Sequence, residues 1–223
     1  MNFTAPKNMR SHVMSILAGE YDVPFYNPEP NTISVIDLGL NVGSFSAWAN
    51  LRWEPFQIYG YEPVLEVYQM AQNNLGHLKN IKLLNSAVRN FNGESSIFLG
   101  KNNVGESSFF YDNEEQSKEA LDVKCISASE LPKAHVIKID TEGCEKEILE
   151  AIDNLNFDLI LLEYHSEQLR KQIDNILESY ILVSSKALCK DRGIAKYIKD
   201  TPELTEQLTI YNRAEINEFG HEQ

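Results

Sequence analysis

One stretch constrains this chain more than any other. Ile33 to Ser46 (ISVIDLGLNVGSFS) reads as an apolar strand that runs straight into a glycine loop. Gly39 and Gly43 let backbone amides approach a ligand with no Cβ in the way. From Ser44 onward, Ala47, Trp48, Ala49 and Leu51 fall at helical spacing, so a helix N-terminus faces the same spot. The expected fold class is α/β, with a site for a small polar ligand at this turn.

The spelling of the loop narrows the ligand. A dinucleotide fingerprint, G-x-G-x-x-G, seats a pyrophosphate on helix amides. Here Asn41 stands where the second glycine would be, and Asp37, two residues before Gly39, would repel a pyrophosphate. A carboxylate there suits a ligand with a positive amino group, and S-adenosylmethionine is such a ligand. No G-x-x-x-x-G-K-[ST] occurs, so a P-loop is excluded.

The following segments keep the same rhythm. Ile58 to Pro63 reads as a short strand ending in Glu62, about 25 residues beyond Asp37, a separation at which a carboxylate accepts hydrogen bonds from ribose hydroxyls. Pro63 stops the strand, and Val64, Leu65, Val67, Tyr68 and Ala71 mark a helix that ends at Leu75-Gly76. A third strand, Ile81 to Leu84, runs out into Asn85, Ser86, Ala87 and Val88, whose small groups can line an adenine pocket.

At this point the chain resembles the FkbM-type methyltransferases. The likeness lies in Val35 to Ser46 (VIDLGLNVGSFS), Gly60 to Pro63 (GYEP), Leu161 to His165 (LLEYH) and above all Val136 to Leu149 (VIKIDTEGCEKEIL). It covers roughly residues 16 to 200, and departs at Leu40, where the family's usual loop has a small residue. The resemblance implies S-adenosylmethionine as cofactor and the class I Rossmann-like fold. That fold is a mostly parallel seven-stranded sheet with an antiparallel C-terminal strand and helices on both faces. It further implies methylation of a hydroxyl on a sugar or other secondary metabolite. On this reading Asp37, Gly39, Asn41 and Gly43 hold the methionine part, Glu62 the ribose, and Ser86, Ala87 and Val88 the adenine side.

The family string also makes physical sense. Val136, Ile137 and Ile139 form a buried strand that Lys138 interrupts, with Asp140 at its carboxyl end, the edge where open α/β sheets bind ligands. Gly143 permits a turn, and an amphipathic helix follows from Glu145 to Leu155, for which Glu142, Glu145 and Glu147 read as helix-start charges. Asp140 is expected to touch the cofactor. Phe157 to Leu162 is nearly all apolar, as a strand buried on both faces is, and it ends in Glu163, Tyr164 and His165. Methyl transfer to a hydroxyl needs a base, and His165 has the intrinsic pKa for it, with Asp140 as the competitor. Asp140, Glu142, Glu163 and His165 could supply an oxygen-rich shell for Mg²⁺, but no spacing is diagnostic and none is expected.

Composition narrows the partners. Of 223 residues, 43% are apolar, enough for one domain with a substantial core, and a net charge of -13 disfavours nucleic acid. Cys125, Cys144 and Cys189 are scattered, which suggests neither zinc nor disulfides. No apolar run reaches membrane-span length and MNFTAPKNMR lacks a signal-peptide core, so a cytoplasmic protein acting on a small-molecule acceptor is expected.

Along the chain, residues 1–30 read as an N-terminal helix and a cofactor-side segment, 31–200 as the methyltransferase domain and 201–223 as a C-terminal helix or tail. Gly19-Glu20-Tyr21 either closes over the cofactor or packs the helix on the sheet. Between Phe91 and Glu130 the pattern weakens into a polar excursion, typical of a mobile specificity loop. Tyr180 to Leu188 and Gly193 to Ile198, joined by Lys190, Asp191 and Arg192, read as a hairpin that supplies the antiparallel strand. Two rivals remain: a non-catalytic module that binds S-adenosylmethionine, and an NAD-dependent oxidoreductase, which would need the glycine that Asn41 replaces.

Overall fold

Strand β1 (Ser34–Leu38) is buried along its whole length because both of its faces are covered. In the computed structural model, which describes residues 3–110, 112 and 116–219, it lies inside a seven-stranded sheet ordered β3-β2-β1-β7-β8-β10-β9. The partners are β2 (Gln57–Tyr61), β3 (Ile81–Leu84), β7 (Val136–Ile139), β8 (Leu159–Tyr164), β9 (Tyr180–Ala187) and β10 (Gly193–Lys199). Strands β3, β2, β1, β7 and β8 run parallel; β10 is antiparallel to both β8 and β9, as the hairpin reading of the sequence anticipates.

Successive residues of the central strands face opposite cores, as the period of two requires. Ile36, Leu38, Ile137, Ile139, Ile160 and Leu162 pack under α4 (Glu145–Ala151) and α5 (Glu167–Ile176). Val35, Val136, Leu159 and Leu161 face an aromatic layer of Phe45, Trp48 and Trp53 from α2 (Ser44–Trp53). Tyr21 joins that layer edge-on to Phe45, ring centroids 5.4 Å apart, just after α1 (Arg10–Leu17). Helix α3 (Leu65–Leu75) covers the same side through Ala71 and Leu75, and α6 (Pro202–Phe219) begins with proline at its first turn. Among the described residues no helix is long and apolar enough to cross a membrane.

Much of the polar excursion of residues 91–130 is strand. β5 (Gly93–Gly100) and β6 (Gln116–Ser127) pair antiparallel, and β4 (Ala87–Arg89) joins β6 to complete a second, three-stranded sheet. Its apolar signal is weak because only Ala87, Ile97, Val123 and Cys125 form its buried patch, while most of the outer face of β6 is exposed. Residues 111 and 113–115 of the excursion lie outside the described residues. Helix α4 is also shorter than its periodicity implies: Ile152 turns extended, and Asp153-Asn154 favour a bend over helix interior.

The glycine loop leaves β1 under tight constraint. Gly39 has φ +72°, and a Cβ on it would sit 1.8 Å from the backbone oxygen of Asp140. Gly39→Ala is therefore expected to destabilise the fold by about 3 kcal/mol or more, at the upper end of single substitutions. Urea denaturation checks this; a loss under about 1 kcal/mol would show that the two loops can separate freely.

Candidate active site

The register of the parallel strands gathers the site. Asp37 lies opposite Lys138 and Ile139 opposite Leu162, so the glycine loop, the Asp140 loop and Glu163–His165 emerge at one sheet edge. Lys138, which the sequence presents as an interruption in an apolar strand, is only 2% exposed. Its Nζ donates to the carbonyls of Leu38 (3.2 Å) and Gly39 (2.7 Å). It also pairs with Asp37 Oδ1 (3.3 Å) and Asp140 Oδ2 (3.4 Å). Burial pushes its pKa down, but the two carboxylates outweigh burial and hold it above the ordinary lysine value. Burial raises Asp140 in turn, yet Lys138, with His165 and His12, keeps it below the usual carboxylate range.

Asp37 has no exposed surface: it accepts from Ser46 Oγ (2.7 Å) and pairs with Lys138, which places it beneath the loop and not in an open cleft. Asn41 adopts φ +53°, and its amide donates to Glu62 Oε2 (2.9 Å), while the Val64 amide donates to Oε1 (2.9 Å). Glu62 thus ties the glycine loop to the start of α3. Burial lifts its pKa to about 7 despite those two amides.

A cleft opens in front of this carboxylate, lined by Gly39, Glu62, Ser86, Ala87, Val88 and Asp140 together with Tyr61 and Phe109. Asp37, Asn41 and Gly43 are not on its wall. Ser86 Oγ is buried there without a hydrogen-bond partner, next to an apolar wall and a carboxylate that still has acceptor capacity. An adenosine group, with a flat ring, ring nitrogens and ribose hydroxyls, fits those residues. The second sheet closes the far side: Ser108 Oγ donates to the Glu142 carbonyl (2.7 Å), and Arg89 lies over the Phe109 ring (4.2 Å to the centroid).

Asp140 also borders a second, more polar cleft with Glu142, Glu163, His12, Arg192, Glu20, Asn41 and Asn103. Neither His12 nor Arg192 carries a motif that sequence reading could use; α1 and the β9–β10 hairpin bring them in. His165 stands behind this cleft among acids, with Nε2 3.0 Å from Glu142 Oε2 and 3.9 Å from Glu163 Oε1, and Nδ1 3.5 Å from Glu145 Oε1. Burial favours the neutral ring, but Glu142 and Glu145 prevail and raise its pKa to about 11, so the ring is charged at neutral pH. Burial, then Asp140, lifts Glu163 to about 8. Glu145 does more than start a helix: fully buried, its Oε1 accepts from the amides of Thr141 and Gly143 (3.0 Å each) and fixes the Asp140 loop.

Comparison with known proteins bears on this arrangement. A family model described as the methyltransferase FkbM domain matches residues 37–186. Among curated proteins there is no significant match. Among solved structures, the fibrillarin/Nop5p complex aligns at TM-score 0.52 and 13% identity, covering 86% of this chain and 83% of that one. Ribosomal protein L11 methylase from Lactobacillus delbrueckii subsp. bulgaricus aligns at 0.51 and 12%, covering 89% and 81%. The Methanococcus jannaschii fibrillarin pre-rRNA processing protein aligns at 0.50 and 12%, covering 80% and 70%. At such identities these likenesses show the fold, that of class I methyltransferases.

Removing Lys138 would leave two buried carboxylates without their cation. Lys138→Met is expected to cost about 3–5 kcal/mol, the range for breaking a buried ion pair from one side. Denaturant unfolding measures it, and a neutral result would remove the clamp from this account.

Proposed function

The chain belongs to the FkbM methyltransferase family and takes S-adenosylmethionine as its cofactor; from that premise we propose that it methylates a hydroxyl oxygen of a small, polar, sugar-like acceptor. The observation that carries the proposal is the pair of clefts that share Asp140. One has the lining for the cofactor. The other is walled by hydrogen-bonding side chains, Asn8, Ser11, His12, Asn103 and Arg192 among them, which suit a polyhydroxylated molecule better than an apolar one. Its acids, with the net charge of -13, disfavour a phosphate backbone.

Bound in the first cleft, S-adenosylmethionine supplies a methyl group already activated as a sulfonium. The chain then has to align the acceptor and receive its proton. Glu62 and Ser86 meet the ribose and adenine side, while Asp37 acts indirectly by holding Lys138 and Ser46 under the loop. Asp140 remains ionised and faces both clefts, so it takes the acceptor's hydroxyl hydrogen bond and its proton. His165, already charged, does not accept that proton; it draws Glu142 and Glu163 together beside Asp140. Alignment accounts for most of the rate.

Glu62→Ala should weaken S-adenosylmethionine binding by about 1.5–3 kcal/mol by calorimetry, the worth of hydrogen bonds to a charged group. Asp140→Asn should keep most of the cofactor affinity but slow methyl transfer by about 100-fold. The assay is formation of S-adenosylhomocysteine across a panel of hydroxylated, amine and apolar acceptors. Turnover confined to acceptors without a hydroxyl would overturn the proposal, and unchanged activity of Asp140→Asn would remove Asp140 from the chemistry.

A further inference from the structure

The cluster behind the shared cleft has the spacing of a cation site as well as that of an ion-pair network. Asp140, Glu142 and His165 each offer one ligand atom, all within 4.8 Å of one another. His165 Nε2 and Glu142 Oε2 are 3.0 Å apart, and neighbouring ligands about 2.1 Å from an octahedral ion are separated by about that distance. Both ring nitrogens of His165 are shielded from solvent, and neither makes a hydrogen bond of normal geometry.

The opposite side of the ring supplies an independent observation. Nδ1 faces Glu145, a carboxylate with no exposed surface whose Oε1 is 3.5 Å away and whose Oε2 is buried without a partner. A histidine that ligates a metal through one nitrogen ordinarily gives the other N–H to a carboxylate, which fixes the ring and raises its basicity. Here the same carboxylate also accepts from the Thr141 and Gly143 amides, so it orients the histidine and the loop that carries Asp140 and Glu142 together.

We propose that Asp140, Glu142 and His165 Nε2 bind one divalent cation in exchange for the Nε2 proton, which leaves to solvent, that Glu145 is the positioning carboxylate behind the histidine, and that an acceptor oxygen takes an open coordination position. Two carboxylate oxygens and one imidazole nitrogen suit a first-row ion such as Mn²⁺, between the oxygen-seeking Mg²⁺ and the nitrogen-seeking Zn²⁺. Three protein ligands leave positions free, and the cluster opens on two clefts: Asp140 and Glu142 line the polar one, Glu142 and His165 a second beside Phe110. Glu163, 3.9 Å from Nε2, is near enough to join the shell. The role given to the acceptor oxygen rests on the reading of the shared cleft as the place of methyl transfer; the cation site itself does not.

The test uses the whole chain, stripped with EDTA and titrated with Mn²⁺, with free ion read by electron paramagnetic resonance and heats by calorimetry. One saturable site per chain is expected. Glu142→Gln and His165→Gln should each weaken it by about tenfold or more, since loss of an outer-shell partner alone costs about 10- to 100-fold. Glu142→Gln is isosteric and lies on the loop side, so it keeps the test valid should His165→Gln fail to fold. Absence of saturable binding in folded wild-type protein, or equal affinity in wild type and folded Glu142→Gln, overturns the proposal. S-adenosylmethionine binding measured in EDTA reports on the functional reading alone, so that a failure of either idea is recognised separately.

Discussion

A single buried ammonium organises the ligand edge of this protein. Lys138 Nζ touches the carbonyls that end β1, the carboxylate beneath the glycine loop and the carboxylate at the end of β7. Burying a lone cation costs several kcal/mol, and burying two carboxylates close together costs more; placed together with hydrogen bonds they compensate one another. The result is a rigid junction between two loops that would otherwise repel. Gly39 completes it, because the Asp140 carbonyl passes where a side chain would be.

From that junction the two clefts diverge. On one side the loop pinned by Glu62, the end of β3 and the second sheet enclose a space with apolar walls and a few polar groups. On the other, α1 and the β9–β10 hairpin bring in polar and charged side chains. Asp140 belongs to both, and the ammonium beside it keeps it charged where burial alone would neutralise it. The groups farther out behave differently: burial, then the charge of Asp140, lifts Glu163 to about 8, and His165 keeps its proton to about 11 because Glu142 and Glu145 outweigh its burial. Asp37, equally close to Lys138, is raised by its burial; Asp140 has His165 and His12 beside it as well as the ammonium, and stays low.

The strand-loop-helix unit, the acids that close four strands and the C-terminal hairpin were all legible, since each is written in contiguous residues with a period or a turn residue to mark it. Gly39, Glu62, Ser86–Val88 and Asp140 line one cleft because parallel strands deliver their carboxyl ends to one edge. The second sheet was not legible: its hairpin buries one narrow stripe, so its exposed face reads as loop. Nor was the burial of Asp37, because a carboxylate at a strand end looks alike whether it meets a ligand or a lysine.

The sequence by itself determined the order of elements in the main sheet, the sheet class and the residue types at its ligand edge, because these depend on local propensity and apolar periodicity. Tertiary structure alone decided which charges meet. The pairing of Asp37 with Lys138 follows from the register between β1 and β7, the caging of His165 from the reach of two loops, and the entry of His12 and Arg192 from the docking of distant segments. Interactions between charges depend on distance and burial, and neither is encoded in spacing along the chain.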